Sequence, residues 1–182
     1  MLKMFSTQLS GLFKKIMERE ENSIEDGARL LAQAALGEGT IFIGGIGEMR
    51  AIATEAIYGA EPLQGAKRLA VQEASSVEDG SIKDLASADR VLLAARESND
   101  EAALFMAKEL VQEGVPFVAI FAIARDGGIQ DLADVSISLD MQKGLLPDEE
   151  GGRFGYPVGI AALFVYHGLK FAIDEMIAEY EE

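Results

Sequence analysis

The sequence predicts an α/β fold, a three-layer doubly wound sandwich around a five-stranded parallel sheet. Short apolar runs alternate with helical patterns along most of the 182 residues, and the links between them are short. The runs are almost continuously apolar, which is typical of strands that helices cover on both faces. No linker or low-complexity tract divides the chain, so we expect one domain over residues 1–182.

Two helices are predicted for the N-terminal segment, residues 1–37. The first covers about 3–20 and has an amphipathic pattern. The second covers about 23–36, because Ser23 is a candidate N-cap and Gly37 follows the last apolar position. This start lacks the apolar core and the small-residue cleavage site of a signal peptide, so we expect a folded helix instead.

The sheet and its crossover helices are predicted to occupy residues 40–139. Crossover helices are expected over about 47–59 and 99–114, and the second of these is clearly amphipathic. The five strand candidates are TIFIGG (40–45), RLAVQ (68–72), DRVLLAA (89–95), PFVAIFAI (116–123) and DVSISL (134–139).

A long helix over about 157–179 is predicted to follow the sheet. Its apolar stretch, residues 156–173, contains His167 and Lys170, and a membrane-spanning helix needs about 20 predominantly apolar residues. We therefore expect this helix to be buried in the core or at a subunit interface. The acidic stretch before it, PDEEGG (147–152), lacks the spacing of a calcium-binding loop, and we expect a mobile loop or lid there.

Charge and composition exclude several classes of function. There are 31 acidic residues against 16 basic ones, and the formal net charge of -15 opposes binding to nucleic acids and anionic membranes. The sequence contains no cysteine, so it has no disulfide, no thiolate nucleophile and no cysteine metal site. A single histidine excludes a multi-histidine metal site within one chain. We therefore expect a cytoplasmic protein without a bound metal or cofactor.

The stretch TIFIGGIGEMRA (40–51) has the features of an anion-binding turn. A strand candidate ends in three closely spaced glycines, Gly44, Gly45 and Gly47, and passes directly into a predicted helix. Glycines allow positive φ angles and close backbone approach, and a helix N-terminus offers free N–H groups and a positive dipole end. In an open parallel sheet, ligands bind beyond the carboxyl ends of the strands. The loops expected there are 44–50, 95–100 and 124–129.

We compared this turn with two common phosphate-binding motifs. A P-loop would need a Lys-Ser or Lys-Thr pair after the glycines, and the sequence has none there. A dinucleotide fingerprint, G-x-G-x-x-G, matches at Gly45 and Gly47 but has Arg50 in the third position. Glu73 is the candidate acidic residue that follows the second strand. An NAD-dependent enzyme is therefore a distant alternative.

Three stretches resemble the SIS (sugar isomerase) family. IFIGGIGEMRAIATEAIYGAEPL is similar to its first strand, glycine turn and helix, and ADRVLLAARESNDEAALFMAKELVQEGVPFVAIFAI to its third strand, helix and fourth strand. IQDLADVSISL is similar to its step into the fifth strand. The similarity covers nearly the whole chain in order and spacing, and the long helix after GRFGYPVGI resembles that of the phosphoheptose isomerases.

The resemblance implies a flavodoxin-like SIS fold, a homodimer or tetramer, and a site for a sugar phosphate or another sugar derivative between the loops and a neighbouring subunit. Family members hold the phosphate with backbone amides and with Ser or Thr hydroxyls. Here Met49 stands at the hydroxyl position of the first turn, and Ser98 supplies the one hydroxyl of the second loop. The candidate ligand-binding residues are Gly45, Gly47, Glu48, Arg50, Arg96, Ser98 and Asn99.

The resemblance also implies an activity, the aldose–ketose isomerisation of a sugar phosphate. This reaction moves a proton between adjacent carbons, so it needs a base and an acid. In phosphoheptose isomerases these are a Glu on the helix after the glycine turn and a His on the last helix, and the candidates here are Glu55 and His167. Each also has a structural explanation, Glu55 as a solvated helix residue and His167 as an interior one. The alternative function is a non-catalytic SIS module that binds a carbohydrate derivative or acts as an oligomeric regulatory or scaffold protein.

Overall fold

The structure, a computed structural model, describes residues 1–71 and 81–181 and forms in them a sheet of five parallel strands, as the sequence predicts. The first strand lies between the second and the third, so the order across the sheet is 2-1-3-4-5. This is the order of a flavodoxin-like doubly wound sheet. The strands are β1 (Ile41–Gly45), β2 (Lys67–Arg68), β3 (Arg90–Glu97), β4 (Phe117–Ile123) and β5 (Val135–Ser138).

Four α-helices and a small antiparallel hairpin accompany this sheet within residues 1–71 and 81–181. They are α1 (Leu2–Leu36), α2 (Arg50–Tyr58), α3 (Glu101–Glu113), the hairpin strands β6 (Leu146–Pro147) and β7 (Arg153–Phe154), and α4 (Val158–Glu181). Helices α1, α2 and α4 lie on one face of the sheet, and α3 lies on the other. The predicted three-layer sandwich is therefore confirmed.

Alternate residues of each central strand enter two separate cores. In β1, Ile41 and Ile43 pack with α1, α2 and α4, whereas Phe42 packs with α3. Strand β3 repeats the pattern, with Leu92 in the first core and Leu93 in the second. Because both faces of these strands are buried, both sets of side chains are apolar, which explains the continuous apolar runs in the sequence.

The N-terminal segment is one helix of 35 residues, and the prediction of two helices is wrong. Buried residues recur at helical spacing on both sides of the expected break, for example Ile16, Ile24 and Ala28. One continuous apolar stripe therefore packs against α4 and the sheet. Ser23 is an interior helix residue and not an N-cap, because burial of this stripe outweighs the weak helix propensity of Asn22 and Ser23.

Helix α4 agrees closely with the helix predicted over 157–179. It packs against α1 and α2, and its side chains Tyr166 and Leu169 are both 1% exposed. Lys170 is buried as well, and its ammonium group pairs with the carboxylate of Asp174 at 2.5 Å. In the part of the chain that the structure describes, no helix is both long and apolar enough to cross a membrane.

The second strand is shorter than predicted and lies at the edge of the sheet. A strand was expected over 68–72, and β2 covers Lys67–Arg68. The N–H of Leu69 still donates a hydrogen bond to the carbonyl oxygen of Ile43 at 2.9 Å, which extends the pairing with β1 by one residue. Gln72, at the end of the predicted strand, and Glu73, from the dinucleotide alternative, lie outside the described residues.

The acidic stretch at 147–152 begins at the end of β6 and leads into β7, where the sequence predicts a mobile loop or lid. The carboxylate of Asp148 accepts hydrogen bonds from the N–H groups of Glu150 and Gly152 at 3.0 and 2.6 Å. Aspartate often stabilises a turn in this way, by binding N–H groups a few residues further along the chain. A turn closed by its own carboxylate therefore explains one of the acidic residues in this stretch.

A continuous α1 predicts opposite effects for two substitutions at Asn22. Asn22→Pro should lower the free energy of unfolding by about 3 kcal/mol or more, because proline removes a hydrogen bond inside the helix. Asn22→Ala should raise it by about 0.5 kcal/mol, since the exposed Asn22 is a weaker helix former than alanine. Urea denaturation followed by circular dichroism measures both changes. A loss of less than about 1 kcal/mol in the proline variant would contradict a continuous helix.

Candidate functional site

The candidate site lies at the carboxyl ends of β1 and β3, the switch point of the sheet. The chain continues from β1 to β2 on one side of β1, and it then crosses back to β3 on the other side. The loops after β1 and β3 therefore leave the sheet edge side by side. A groove of about 390 Å³ lies between these loops. Its lining residues are Ile46, Gly47, Glu48, Arg96, Glu97, Asn99, Asp100 and Glu101.

The glycine turn after β1 is shaped by its own backbone. A side chain at Gly45 would place its Cβ 2.4 Å from the carbonyl oxygen of Met49, so this close approach requires glycine. Gly47 has a φ of 59°, in the left-handed region that favours glycine. A short 3-10 turn, Gly47–Met49, then leads into α2 at Arg50. The backbone geometry therefore explains why glycine occupies both positions, and a contact between these glycines and a ligand stays a prediction.

Glu48 and Arg96 form a bidentate ion pair across the groove. The Nε of Arg96 donates to Oε1 of Glu48 at 2.7 Å, and its Nη2 donates to Oε2 at 2.9 Å. The pair joins the turn after β1 to the end of β3. The hydrogen bonds from Arg96 hold the pKa of Glu48 below its usual range, so Glu48 is charged at neutral pH. Two side chains that the sequence predicts to bind a ligand therefore bind each other.

The N-terminus of α3 is capped by a side chain of the protein. Asp100 is the N-cap, and one of its carboxylate oxygens accepts hydrogen bonds from the N–H groups of Ala102 and Ala103 at 3.0 and 3.1 Å. The prediction of a helix from 99 misses this cap, although an Asp before an amphipathic run is a known N-cap signal. These two N–H groups are therefore already hydrogen-bonded within the protein.

Ser98 connects the loop after β3 to the loop after β4. It is 0% exposed, and its hydroxyl accepts a hydrogen bond from the N–H of Arg125 at 2.8 Å and donates to the carbonyl oxygen of Arg125 at 3.3 Å. The guanidinium group of Arg125 pairs with Glu97 at 3.1 Å. Charged residues at the carboxyl ends of two neighbouring strands are the sequence signal for this pair, which the sequence analysis does not predict. The loops after β1, β3 and β4 therefore meet at one edge, as expected, while the ligand role of Ser98 stays a prediction.

The remaining two predicted ligand-binding residues differ in position. Asn99 is exposed and lines the groove. Arg50 is exposed at the first position of α2, interacts with another group of the chain and is not among the lining residues. Asn99 is therefore placed to meet a ligand in the groove, and a contact with Arg50 stays a prediction.

The charge of the groove comes mainly from carboxylates. Among its described lining residues, Arg96 is the one cation. No group of three or more His, Asp or Glu side chains within residues 1–71 and 81–181 is arranged to hold a metal ion. An incoming anion therefore meets a negative surface apart from Arg96. The carboxylates belong to Glu48, Glu97, Asp100 and Glu101.

The two predicted catalytic residues are brought together by α2 and α4. Nε2 of His167 lies 3.8 Å from Oε1 of Glu55, and their side chains are 43% and 37% exposed. Helix α2 follows the glycine turn directly, and α4 packs beside it. A carboxylate and an imidazole therefore lie in contact at the protein surface, which is the pair of groups that isomerisation needs. Their catalytic role stays a prediction.

His167 lines a second groove, of about 310 Å³, between α1 and α4. The rings of Tyr166 and Phe171 lie 5.3 and 5.8 Å from its imidazole ring. The hydroxyl of Tyr166 is buried and has no hydrogen-bond partner among the described residues. Burial, and then the negative charges of Glu55 and Asp174, raise the pKa of Tyr166. The other lining residues, mainly apolar, are Met17, Glu21, Ile24, Phe164 and Gly168.

Comparison with known sequences finds matches over nearly the full length of the chain. Residues 1–177 match the model of a protein family described as a domain of unknown function, DUF2529. The uncharacterized protein YwjG of Bacillus subtilis (strain 168) is 37% identical over 181 residues, which are 99% of this chain and 99% of that protein.

Two solved structures of low sequence identity have the same fold. Protein c3406 of E. coli CFT073, solved in complex with a sugar phosphate, has a TM-score of 0.72 and 14% identity, over 97% of this chain and 89% of that one. Phosphoheptose isomerase GmhA of Neisseria gonorrhoeae has a TM-score of 0.66 and 15% identity, over 93% and 95% of the two chains. The predicted SIS fold is therefore confirmed.

The N-cap at Asp100 predicts a stability difference between two substitutions. Asp100→Ala should lower the free energy of unfolding by about 1 kcal/mol, because two N–H groups of α3 lose their acceptor. Asp100→Ser keeps an acceptor oxygen without the negative charge, and it should stay within about 0.5 kcal/mol of the wild type. Urea denaturation measures both. An alanine variant as stable as the serine variant would show that the cap contributes nothing.

Proposed function

The chain belongs to the DUF2529 family and has the SIS fold, and on this premise we propose that it is a sugar-phosphate isomerase. The observation that carries the proposal is the contact between Glu55 and His167, with 3.8 Å between Oε1 and Nε2. An isomerase must move a proton between adjacent carbons, and for this it needs a base and an acid. The likeness in fold to a phosphoheptose isomerase supports the same class of reaction.

In the proposed reaction, Glu55 is the base and His167 is the acid. The carboxylate of Glu55 takes the proton from the carbon next to the carbonyl group, while His167 donates a proton to the carbonyl oxygen and an enediol forms. Glu55 then returns its proton to the neighbouring carbon, and His167 takes the proton of the other hydroxyl. The carbonyl group has then moved by one carbon, without external oxidant or reductant. Both side chains are more than one-third exposed, which leaves them open to a substrate.

The phosphate of the substrate is proposed to bind at the glycine turn. The positive dipole end of α2 and the guanidinium group of Arg96 support this placement, since both suit phosphate oxygens. Glu55 lies five residues after Arg50, about 7.5 Å along α2. An extended pentose to heptose phosphate covers such a distance. The sugar-phosphate complex of c3406 supports a ligand of this kind.

We expect Glu55→Gln and His167→Ala each to slow isomerisation by about 10²–10⁴-fold, the usual contribution of general acid–base catalysis. Nuclear magnetic resonance measures this as exchange of substrate hydrogen in deuterated water, with sedoheptulose 7-phosphate and pentose phosphates as probes. Glu179→Gln removes an exposed carboxylate from the end of α4 and is the matched control. The thermal shift caused by the ligand should be retained in all three variants, because the phosphate is held elsewhere.

The same measurements distinguish three ways in which the proposal can fail: in ligand binding, in catalysis, or in the assignment of the catalytic residues. A sugar phosphate at 100 times its dissociation constant should stabilise the protein by about 2.7 kcal/mol, and the absence of any thermal shift contradicts the whole proposal. Binding without hydrogen exchange in the wild type identifies a non-catalytic SIS module. Exchange at the wild-type rate in both variants removes Glu55 and His167 from the reaction.

A second copy of the chain is proposed to cover the groove around His167. Met17 and Phe171 are 44% and 55% exposed although both are large and apolar, and such patches mark contact surfaces. The resemblance to SIS proteins implies a homodimer or tetramer, and a neighbouring subunit here would shield Glu55 and His167 from water. Size-exclusion chromatography with light scattering should give a dimer or tetramer, and Phe171→Asp should give a monomer. A monomeric wild type at micromolar concentration would refute this assembly.

We also propose that the protein is cytoplasmic and that it binds neither nucleic acids nor membranes. The absence of cysteine from the sequence supports a reducing compartment. The net charge of -15 supports a small-molecule ligand over a polyanionic partner, because a field of this sign repels nucleic acids and anionic lipids.

A further inference from the structure

The Glu48–Arg96 ion pair occupies the point at which a ligand phosphate would meet the side chains of the groove. Arg96 uses its Nε and Nη2 for Glu48, at 2.7 and 2.9 Å, and a guanidinium group grips a phosphate with the same kind of fork. Arg96 is also the one cation among the described residues that line the groove. A ligand anion can therefore bind both nitrogens only after it has displaced Glu48.

Building on the sugar-phosphate ligand proposed above, we propose that Glu48 determines specificity, because it lets phosphate monoesters reach Arg96 and keeps sugar carboxylates out. A carboxylate ligand offers Arg96 the charge and the two oxygens that Glu48 already supplies, so the exchange gains nothing. A phosphate monoester carries nearly two negative charges at neutral pH and three acceptor oxygens. It therefore gains both charge and hydrogen bonds, because its third oxygen remains available to a further donor.

This exchange is open to a ligand because the pair is accessible to water. The side chains of Arg96 and Glu48 are 58% and 35% exposed, so water competes for both charged groups and the pair is weaker than a buried one would be. Neither residue belongs to the two apolar cores. Glu48 can therefore turn into solvent without disturbing the sheet.

The other three carboxylates of the groove have different roles. Glu97 pairs with Arg125 at 3.1 Å, and Asp100 holds two N–H groups of α3. Glu101 is exposed in the first turn of α3, where a negative charge complements the helix dipole. Glu48 is therefore the carboxylate that holds Arg96, and Glu101 provides a matched control with the same charge in the same groove.

The test compares Glu48→Gln with Glu101→Gln by nuclear magnetic resonance titration with inorganic phosphate, sedoheptulose 7-phosphate and gluconate. Both variants remove one negative charge from the groove, but only Glu48→Gln releases Arg96. Glu48→Gln should bind the two phosphate compounds about five- to tenfold more tightly than the wild type and should begin to bind gluconate. Glu101→Gln should change each affinity by about twofold or less. In an Arg96→Ala background, Glu48→Gln should gain about twofold or less, and a double-mutant cycle measures this difference directly.

Each other outcome overturns the inference. Equal gains in the two variants mean a general effect of charge, and no gain in Glu48→Gln means that Glu48 does not restrain Arg96. A wild type that binds gluconate as tightly as sedoheptulose 7-phosphate has no such specificity. If neither the wild type nor a variant binds a phosphate compound, the proposed function fails as well. Circular dichroism checks that each variant is folded.

Discussion

Burial of the three central strands on both faces is the constraint on which the rest of the structure depends. Strands β1, β3 and β4 place alternate apolar side chains in two cores, so α1, α2 and α4 must cover one face and α3 the other. Parallel strands need a crossover after each strand, and their carboxyl ends therefore share one edge of the sheet. The segments that carry Glu48, Arg96 and Asp100 meet at that edge for this reason.

Two carboxylates of the protein lie at this edge, those of Asp100 and Glu48. They differ in the groups to which they are hydrogen-bonded. The carboxylate of Asp100 binds two backbone N–H groups at the start of α3, so α3 depends on it for its first turn. Glu48 binds the side chain of Arg96, which is exposed, and its own backbone N–H. The proposed ligand would therefore displace Glu48 and leave Asp100 in place. On this proposal, the groove would accept an anion at Arg96 while the N-terminus of α3 stays fixed.

The sequence predicts the features that depend on periodicity and on the order of elements along the chain. It does not predict the features that depend on contacts between residues far apart in the sequence. The continuous apolar runs predict the sheet, the long apolar stretch at 156–173 predicts α4, and the resemblance to SIS proteins selects Glu55 and His167, which the fold brings into contact. The local cap signal at Ser23 is misleading because the buried stripe of α1 continues through it. The pairing of Glu48 with Arg96 depends on the register of β1 against β3, and no pattern along the chain reports that register.

A crystal structure of the wild-type protein with sedoheptulose 7-phosphate tests most directly whether a sugar phosphate binds at the switch point. The phosphate should accept hydrogen bonds from Arg96 and from the turn after β1, with the carbonyl end of the sugar toward Glu55 and His167. The oxygens of Glu48 should no longer lie at 2.7 and 2.9 Å from the guanidinium nitrogens. An intact Glu48–Arg96 pair, with the ligand bound elsewhere on the protein, would contradict this account of the site.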